Sequence, residues 1–302
     1  MGVTVEKLIK DFELEIIQKG EANIPIDVQD INRPGLQLAG FYNYFAPERI
    51  QVIGKAEWSF ISDMAPDLRR KRINKFFSFD ISCLVITRDL DVPEDILASA
   101  VKNKTWLVRT DMITTKFISK LTLYLSDMMA PETRLHGVLV DVYGIGMLIT
   151  GESGIGKSET ALELIKRGHR LVTDDAVDIK EIDGELIGTS PYITFGMLEV
   201  RGMGIIDVSA LYGLSSILPS KEIKIMIHFE HWKDDGDYDR LGIDNVYEDI
   251  LGVKLKKIRV PIRPGRNIAV IIEAAAANYR YNLMSNTNPV DIIEQRMVES
   301  RE

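Results

Sequence analysis

The chain has 302 residues, which is long for one domain and comfortable for two. Apolar residues make up 45% of it and charged residues 27%, a balance typical of globular proteins with a sizeable core. A formal net charge of −8 argues against binding nucleic acid by bulk electrostatics, and no apolar stretch is long enough to span a membrane.

The first part of the chain alternates predicted strands and helices. Ile81–Thr87 and Thr105–Arg109 are rich in residues that favour strands. A helical pattern begins after Pro93, and another covers Thr114–Met129. This order predicts an α/β domain in which a parallel sheet is layered with helices.

One cysteine, Cys83, lies inside the first of these strands. It cannot form a disulfide within the chain, and we expect a buried thiol in a reducing compartment. The first ten residues also lack the apolar segment of a secretion signal. We therefore expect a cytoplasmic protein.

Residues 130–134 break the helical pattern, so we predict one domain over 1–130 and another over 131–302. The second domain combines short strands with helices, which predicts a mixed sheet followed by helices near the end of the chain. Its predicted strands are Val138–Val142, Met147–Thr150, Leu171–Thr173, Ala176–Lys180, Glu185–Gly188, Ile223–Phe229 and Ile258–Ile262, and its predicted helices are Glu159–Arg167, Ile268–Tyr279 and one capped by Asn288.

The strongest chemical signal is a glycine-rich loop between a predicted strand and a predicted helix. It matches the phosphate-binding pattern G-x-x-x-x-G-K-[ST], in which backbone N–H groups and the helix N-terminus face one anion. In that pattern the lysine contacts the β and γ phosphates and the serine hydroxyl contacts Mg²⁺. The predicted nucleotide-binding residues are Gly151, Glu152, Ser153, Gly154, Ile155, Gly156, Lys157 and Ser158.

Two adjacent carboxylates, Asp174 and Asp175, follow the strand Leu171–Thr173. Neighbouring side chains at a strand end point in opposite directions, so we expect different roles for them. One could hold a metal-bound water while the other accepts a proton. In most P-loop enzymes the acidic strand end comes after a further strand and helix, whereas here it follows the first helix directly.

Three glycine-rich charged clusters accompany this loop: 199–204, 237–242 and 261–266. Their arginines are suited to phosphate oxygens, although each alone is more typical of a surface ion pair. His136, which precedes the first strand of this domain, is by itself more typical of a structural histidine. His228 and His231 are too differently oriented around a strand end to indicate a metal site.

Together these motifs resemble the HPr kinase/phosphorylase family. The first signature is Gly151–Thr160 with Gly168–Leu171 and the paired acids, and the second is Leu198–Ile206. Tyr238–Gly242 and Arg263–Asn267 match further segments. The resemblance covers essentially the whole chain and implies a P-loop kinase domain after an N-terminal α/β domain.

The resemblance implies an enzyme that uses ATP and Mg²⁺ to phosphorylate a serine of the phosphocarrier HPr, in carbon catabolite regulation. The family also carries out phosphorolysis, in which inorganic phosphate attacks the phosphoserine and releases pyrophosphate. Whether pyrophosphate also serves as donor is left open. The same resemblance implies a homohexamer, with neither nucleic acid nor membrane as partner.

The resemblance also implies roles for individual residues. The catalytic set would be His136, Lys157, Asp175 and Arg240, and the magnesium positions Ser158 and Glu199. Residues 199–208 match a stretch that both reactions require, and Arg263–Arg266 match one required mainly for dephosphorylation.

A mechanism follows as a hypothesis. Asp175 takes the proton of the incoming serine hydroxyl, while Lys157, Arg240 and Mg²⁺ spread the charge of the transferring group. His136 either contacts a phosphate oxygen or hydrogen-bonds Asp175. Two alternatives stay open: a P-loop kinase or ATPase that acts on a small metabolite, and a nucleotide-sensing module without catalysis.

Overall fold

The computed structural model describes residues 3–232, 246–263, 265–284, 296–297 and 299. The chain divides into two compact units, residues 1–130 and residues 131–302. Within the described ranges, no helix is both long and apolar enough to cross a membrane.

The first unit is built from short strands and helices in alternation. Its strands are β1 (Val3–Thr4), β2 (Glu15–Gln18), β3 (Pro25–Ile26), β4 (Ile31–Asn32), β5 (Ile50–Ile53), β6 (Cys83–Ile86) and β7 (Trp106–Arg109). Its helices are α1 (Val5–Asp11), α2 (Gly35–Leu38), α3 (Lys55–Ser62), α4 (Pro66–Phe76), α5 (Glu94–Asn103) and α6 (Thr114–Met129).

Five of these strands form a sheet in the order β2-β7-β6-β5-β4, parallel except for β2 at the edge. Because successive side chains in a strand face opposite ways, Cys83 and Val85 pack on one side of the sheet and Leu84 and Ile86 on the other. The predicted α/β layering is thereby confirmed. Cys83 is fully buried, and burial raises the pKa of its thiol to about 12.

The second unit contains the longer strands. They are β8 (Glu132–His136), β9 (Val138–Val142), β10 (Ile145–Gly151), β11 (Arg170–Thr173), β12 (Ala176–Ile182), β13 (Glu185–Thr189), β14 (Met197–Val200), β15 (Gly204–Asp207), β16 (Ser220–His231), β17 (Tyr247–Ile250) and β18 (Val253–Ile262). The helices are α7 (Lys157–Lys166), α8 (Val208–Tyr212) and α9 (Ile268–Met284), with short 3₁₀ turns at Tyr192–Thr194 and Leu214–Ser216.

Nine of these strands form a mixed sheet, as predicted. The order is β11-β9-β10-β16-β13-β12-β8, and β18 pairs with both β16 and β17. The central pair β10 and β16 is parallel, with Gly151 opposite Phe229. One sheet face packs on α7 and α9 through residues such as Ile149, and the other carries a second core that includes Leu148 and Met226. The carboxyl end of β10 leads directly into the glycine-rich loop.

Several local details differ from the sequence prediction. His136, predicted to precede the first strand of this domain, is the last residue of β8, a strand that was not predicted. Helix α7 begins at Lys157, two residues before the predicted start at Glu159. The turn between β9 and β10 is formed by Tyr143 and Gly144, whose positive φ angles of 53° and 88° fit a two-residue hairpin turn. Ile145 therefore already belongs to the strand. The helix predicted after Asn288 lies outside the described residues.

Candidate active site

The glycine-rich loop connects β10 to α7, so the strand end and the helix N-terminus meet around it. Gly154 has a φ of +85° and Gly156 a φ of +103°, a region that residues with a Cβ rarely adopt. In phosphate-binding loops, a backbone of this kind presents successive N–H groups to one anion. The loop therefore combines oriented donors with the positive end of the helix dipole, the arrangement that binds phosphate.

Lys157 is the first residue of α7 and is only 6% exposed. Its Nζ donates hydrogen bonds to the backbone oxygens of Gly151 and Glu152, each at 3.0 Å. Burial lowers the pKa of this ammonium, and the nearby carboxylates of Asp174 and Asp175 oppose that shift. The charged amine of Lys157 therefore lies against the backbone of the loop.

Asp174 joins the loop to the rest of the site. It is 5% exposed and lies between the end of β11 and the start of β12. Its Oδ1 accepts a hydrogen bond from Ser158 Oγ at 2.9 Å, and its Oδ2 accepts one from the Glu199 N–H at 2.9 Å. Burial raises the pKa of this carboxyl, while these two hydrogen bonds act in the opposite sense. Ser158, Asp174 and the backbone of Glu199 are therefore neighbours.

Asp175 points the other way. Its side chain is 72% exposed, and its Oδ1 lies 3.0 Å from Nδ1 of His136. A φ of +69° turns the backbone at this position, and its carbonyl accepts a hydrogen bond from Gly137 N at 3.0 Å. The two adjacent acids thus have separate surroundings: one buried against the phosphate loop, the other open to an incoming group.

Arg201 lies beside the same loop. It occupies the turn between β14 and β15, and its Nη2 is 3.3 Å from Ser153 Oγ. A Cβ on Gly154 would lie 2.4 Å from Nη1 of Arg201, which shows how closely the guanidinium covers the loop. Among the described residues, no carboxylate lies within ion-pair distance of Arg201. Sequence reasoning named its cluster but had no signal for this contact, which depends on how the hairpin packs.

The oxygen atoms around Ser158 fit a magnesium ion bound together with a nucleotide. Mg²⁺ is held by one or two carboxylates together with phosphate oxygens and water, rather than by an all-protein cage. Asp174 offers a carboxylate there, and the backbone N–H of Glu199, whose side chain is exposed, lies beside it. The described residues contain no cluster of three or more His, Cys, Asp or Glu that could hold a metal ion.

The remaining candidates lie along the same sheet edge or outside the described residues. Ile262 pairs with His231 at the carboxyl end of β16, just as Gly151 pairs with Phe229. Beyond Ile262, the guanidinium carbon of Arg263 lies 4.9 Å from the centre of the Trp232 ring. Arg266 Nη1 donates to the carbonyl of Pro261 at 3.0 Å. Arg240, predicted to be catalytic, lies outside the described residues.

His228 lies next to the loop, in a contact that the sequence did not predict. Its Nδ1 is 3.0 Å from Thr150 Oγ1, and Thr150 is the residue before Gly151. Burial lowers the pKa of this imidazole, and the positive charge of Lys257 lowers it further. Both effects favour the neutral form of the His228 imidazole. The parallel register of β10 and β16 creates this contact.

Comparison with known proteins adds to this geometry. The model of the HPr serine kinase N terminus matches residues 3–125, and that of the HPr serine kinase C-terminal domain matches residues 127–297. The HPr kinase/phosphorylase of Clostridium perfringens (strain SM101 / Type A) is 82% identical over 302 residues, which cover 100% of this chain and 98% of the relative. That of Clostridium botulinum (strain Eklund 17B / Type B) is 70% identical over 297 residues, 98% of each chain.

A solved structure, the HPr(Ser) kinase/phosphatase from Coxiella burnetii, is 37% identical and has a TM-score of 0.47, covering 50% of this chain and 93% of that one. The full-length relatives and the two domain models agree with the motifs of the sequence. The resemblance expected from residues 151–175 and 198–206 is therefore confirmed, and the chain belongs to the HPr serine kinase family.

Proposed function

We propose that this protein transfers the γ-phosphoryl group of ATP to a serine hydroxyl of HPr, and that it also phosphorolyses seryl-phosphorylated HPr with release of pyrophosphate. The observation that carries the proposal is the pair of acids beside the phosphate loop. Asp174 is bonded to Ser158 inside the loop region, and Asp175 is exposed and bonded to His136. A donor phosphate and an acceptor hydroxyl can thus meet between them.

In the kinase direction, Asp175 acts as the proton acceptor. The serine oxygen forms its bond to the γ-phosphorus as the bond to the β–γ bridging oxygen breaks, and its proton passes to the Asp175 carboxylate. A carboxylate is a weak base, so this transfer comes late, when the hydroxyl has become acidic. The geometry favours one of the two roles considered for His136, because its Nδ1–H can donate to Asp175 and orient it.

Charge on the transferring group is spread by cations that are part of this site. Lys157 would exchange its backbone carbonyl partners for phosphate oxygens, and Arg201 covers the loop from the other side. We assign Arg240 a catalytic role on the family resemblance. When bound, Mg²⁺ held by Ser158 with Asp174 or Glu199 supplies further neutralisation of phosphate charge.

In the reverse direction the same groups exchange roles. Inorganic phosphate occupies the backbone cradle of residues 151–158, which otherwise receives the β-phosphate of ATP. A phosphate oxygen attacks the phosphoserine phosphorus, the bond to the serine oxygen breaks, and protonated Asp175 returns its proton to that oxygen. The products are pyrophosphate and unmodified HPr. Assembly as a homohexamer and a cytoplasmic location belong to the same proposal and rest on the family resemblance.

The test is to incubate the purified protein with ATP, Mg²⁺ and HPr and to locate the phosphate by mass spectrometry, with HPr lacking the acceptor serine as control. Inorganic phosphate is then added to the isolated phosphoprotein and pyrophosphate is measured. Release of orthophosphate alone would contradict the phosphorolysis. Labelling of small metabolites instead of HPr would favour the metabolite kinase, and nucleotide binding without any transfer would favour the sensor.

A further inference from the structure

A recess of about 390 Å³ lies on the sheet face opposite α7 and α9. Apolar side chains from three strands and the turn after β17 contribute to its lining: Leu135, Met226, Ile250 and Leu251. Ile250 and Met226 also belong to the buried core of that face. Since water bound against such a surface is readily displaced, an apolar group is a favourable occupant.

This recess is continuous with the candidate active site. His136, which contacts Asp175, lines it, and so does Thr150, the residue before the phosphate loop. A protein segment that presents its serine to Asp175 would therefore place a neighbouring side chain over the opening. The recess and the phosphate loop lie at the same carboxyl edge of β10 and β16.

The charges in the lining favour an uncharged occupant. Lys257 Nζ is paired with Glu248 at 3.0 Å, and Asp249 Oδ1 accepts the Gly252 N–H at 3.1 Å. Carboxylates on this side oppose an anion, so a phosphate is disfavoured. A cation would have to compete with Lys257 for Glu248. An aliphatic side chain breaks none of these contacts.

We propose that this recess binds an apolar side chain of the acceptor protein that flanks the phosphorylated serine, and so selects the serine to be modified. This inference rests on the proposed function. It assigns to Leu135, Met226, Ile250 and Leu251 a part in substrate choice rather than in the transfer itself.

The test uses a variant whose larger side chain fills the recess, while the catalytic residues stay unchanged. Thr133 lines it from β8 and has a partly exposed side chain, so Thr133→Phe would occupy the space. With the full chain we expect KM for HPr to rise about tenfold, a usual effect of excluding one aliphatic group from a pocket. KM for ATP and kcat should stay close to wild type. The matched control is Glu132→Phe, which adds the same ring at an exposed neighbouring position of β8.

A second arm changes HPr instead of the enzyme. Each apolar residue flanking the acceptor serine is replaced by alanine, one at a time. One replacement should raise KM with the wild-type enzyme and have no further effect with Thr133→Phe, because both changes remove the same contact. Should Thr133→Phe fail to fold, Leu135→Ala, which removes part of the lining, takes its place in the same cycle.

The outcomes separate the two proposals. If the wild-type enzyme does not phosphorylate HPr, the proposed function fails and this inference fails with it. If HPr is phosphorylated but Thr133→Phe leaves its KM unchanged, or no flanking residue is coupled to the recess, only the inference is overturned. A rise in KM for ATP would assign the recess to the nucleotide and would overturn it as well.

Discussion

The Asp175 carboxylate is exposed, its backbone has a left-handed φ, and it contacts His136, and the proposed proton transfer uses this carboxylate. Asp175→Asn keeps the shape but cannot accept the serine proton. We expect both the kinase rate and the phosphorolysis rate to fall by roughly 10²–10⁴-fold, the range for loss of a general base. ATP binding should persist, and equilibrium titration with ATP is the control. Wild-type kinase rates in this variant would exclude the proton-transfer role.

Asp174 offers a contrasting prediction, because it is buried against Ser158 and its pKa is raised. In Asp174→Asn the amide can still accept from the Glu199 N–H through its oxygen and donate to Ser158 Oγ through its nitrogen. At pH 7 the Asp174→Asn substitution removes a buried charge, so we expect the Tm of the variant to be higher than that of the wild type. Kinase activity should fall by about 10²-fold or more, because a carboxylate proposed to hold Mg²⁺ is lost. Thermal melts and steady-state rates measure the two effects.

The direction in which stability changes with pH follows from the raised pKa of Asp174. A carboxyl whose pKa is higher in the folded state favours folding at a pH below its unfolded value, and this contribution is lost as the pH rises through the folded value. The Tm advantage of Asp174→Asn should therefore shrink as the pH falls from 7 into the range in which Asp174 takes up a proton. A constant difference across that range would show that the charge of Asp174 is not its cause.

Residue spacing did not assign separate roles to the two acids, and only the family resemblance singled out Asp175 as catalytic. Residues 151–158 form a local pattern that could be recognised from spacing, whereas the contact of Ser158 with Asp174 was not predicted. The assignment of Asp174 rather than Asp175 to the buried side depends on how β11 turns into β12. The contact of Arg201 with the loop depends on the packing of a distant hairpin. Neither the burial of Asp174 nor the contact of Arg201 can be predicted from the spacing of residues in the sequence.

At the scale of elements, the pairing of β10 with β16 holds the phosphate loop in place. Gly146 makes this pairing possible, since a Cβ there would lie 2.0 Å from the backbone oxygen of Glu222. The register also shifts between Gly146 and Met147. At Gly146 the two strands therefore lie closer together than a residue with a Cβ would allow.

We expect Gly146→Ala to push the strands apart and to cost about 1–3 kcal/mol, the usual range for overpacking. For a unit of this size that corresponds to a fall in Tm of about 2–4 °C per kcal/mol. Differential scanning calorimetry of the full chain measures it. Gly35→Ala is the control, because its Cβ would meet no atom closer than 3.8 Å. Equal Tm values for both variants would contradict the steric account.

Long periodic elements were predicted well from sequence, whereas several short ones were missed. Helix α6 covers the residues predicted for it, since its apolar positions repeat along its 16 residues. The hairpin β14–β15 and the strand β17 were not predicted. They are four residues each, and Ile205 in β15 is 73% exposed, so burial imposes no clear alternation on them. Whether these segments form strands depends on the strands with which they pair rather than on their own residues.

At the scale of the whole molecule, each unit has its own hydrophobic core. Two clusters are drawn from residues 3–125, and two from residues 138–276. The phosphate loop, both acids, His136 and Arg201 all belong to residues 131–302. A core that is complete within one unit predicts that the unit folds alone.

We therefore expect a fragment of residues 128–302 to fold and to bind ATP with Mg²⁺ within a few-fold of the full chain, measured by calorimetric titration. The first residue of the fragment matters, because Glu181 N donates to the Pro131 carbonyl at 2.9 Å and β8 pairs with β12 from Glu132 to His136. A fragment beginning at Val138 removes that strand and His136 with it. It exposes the edge of β12 and should lose both cooperative unfolding and phosphoryl transfer. If the shorter fragment transferred phosphate as well as the longer one, neither β8 nor His136 could be part of the catalytic unit.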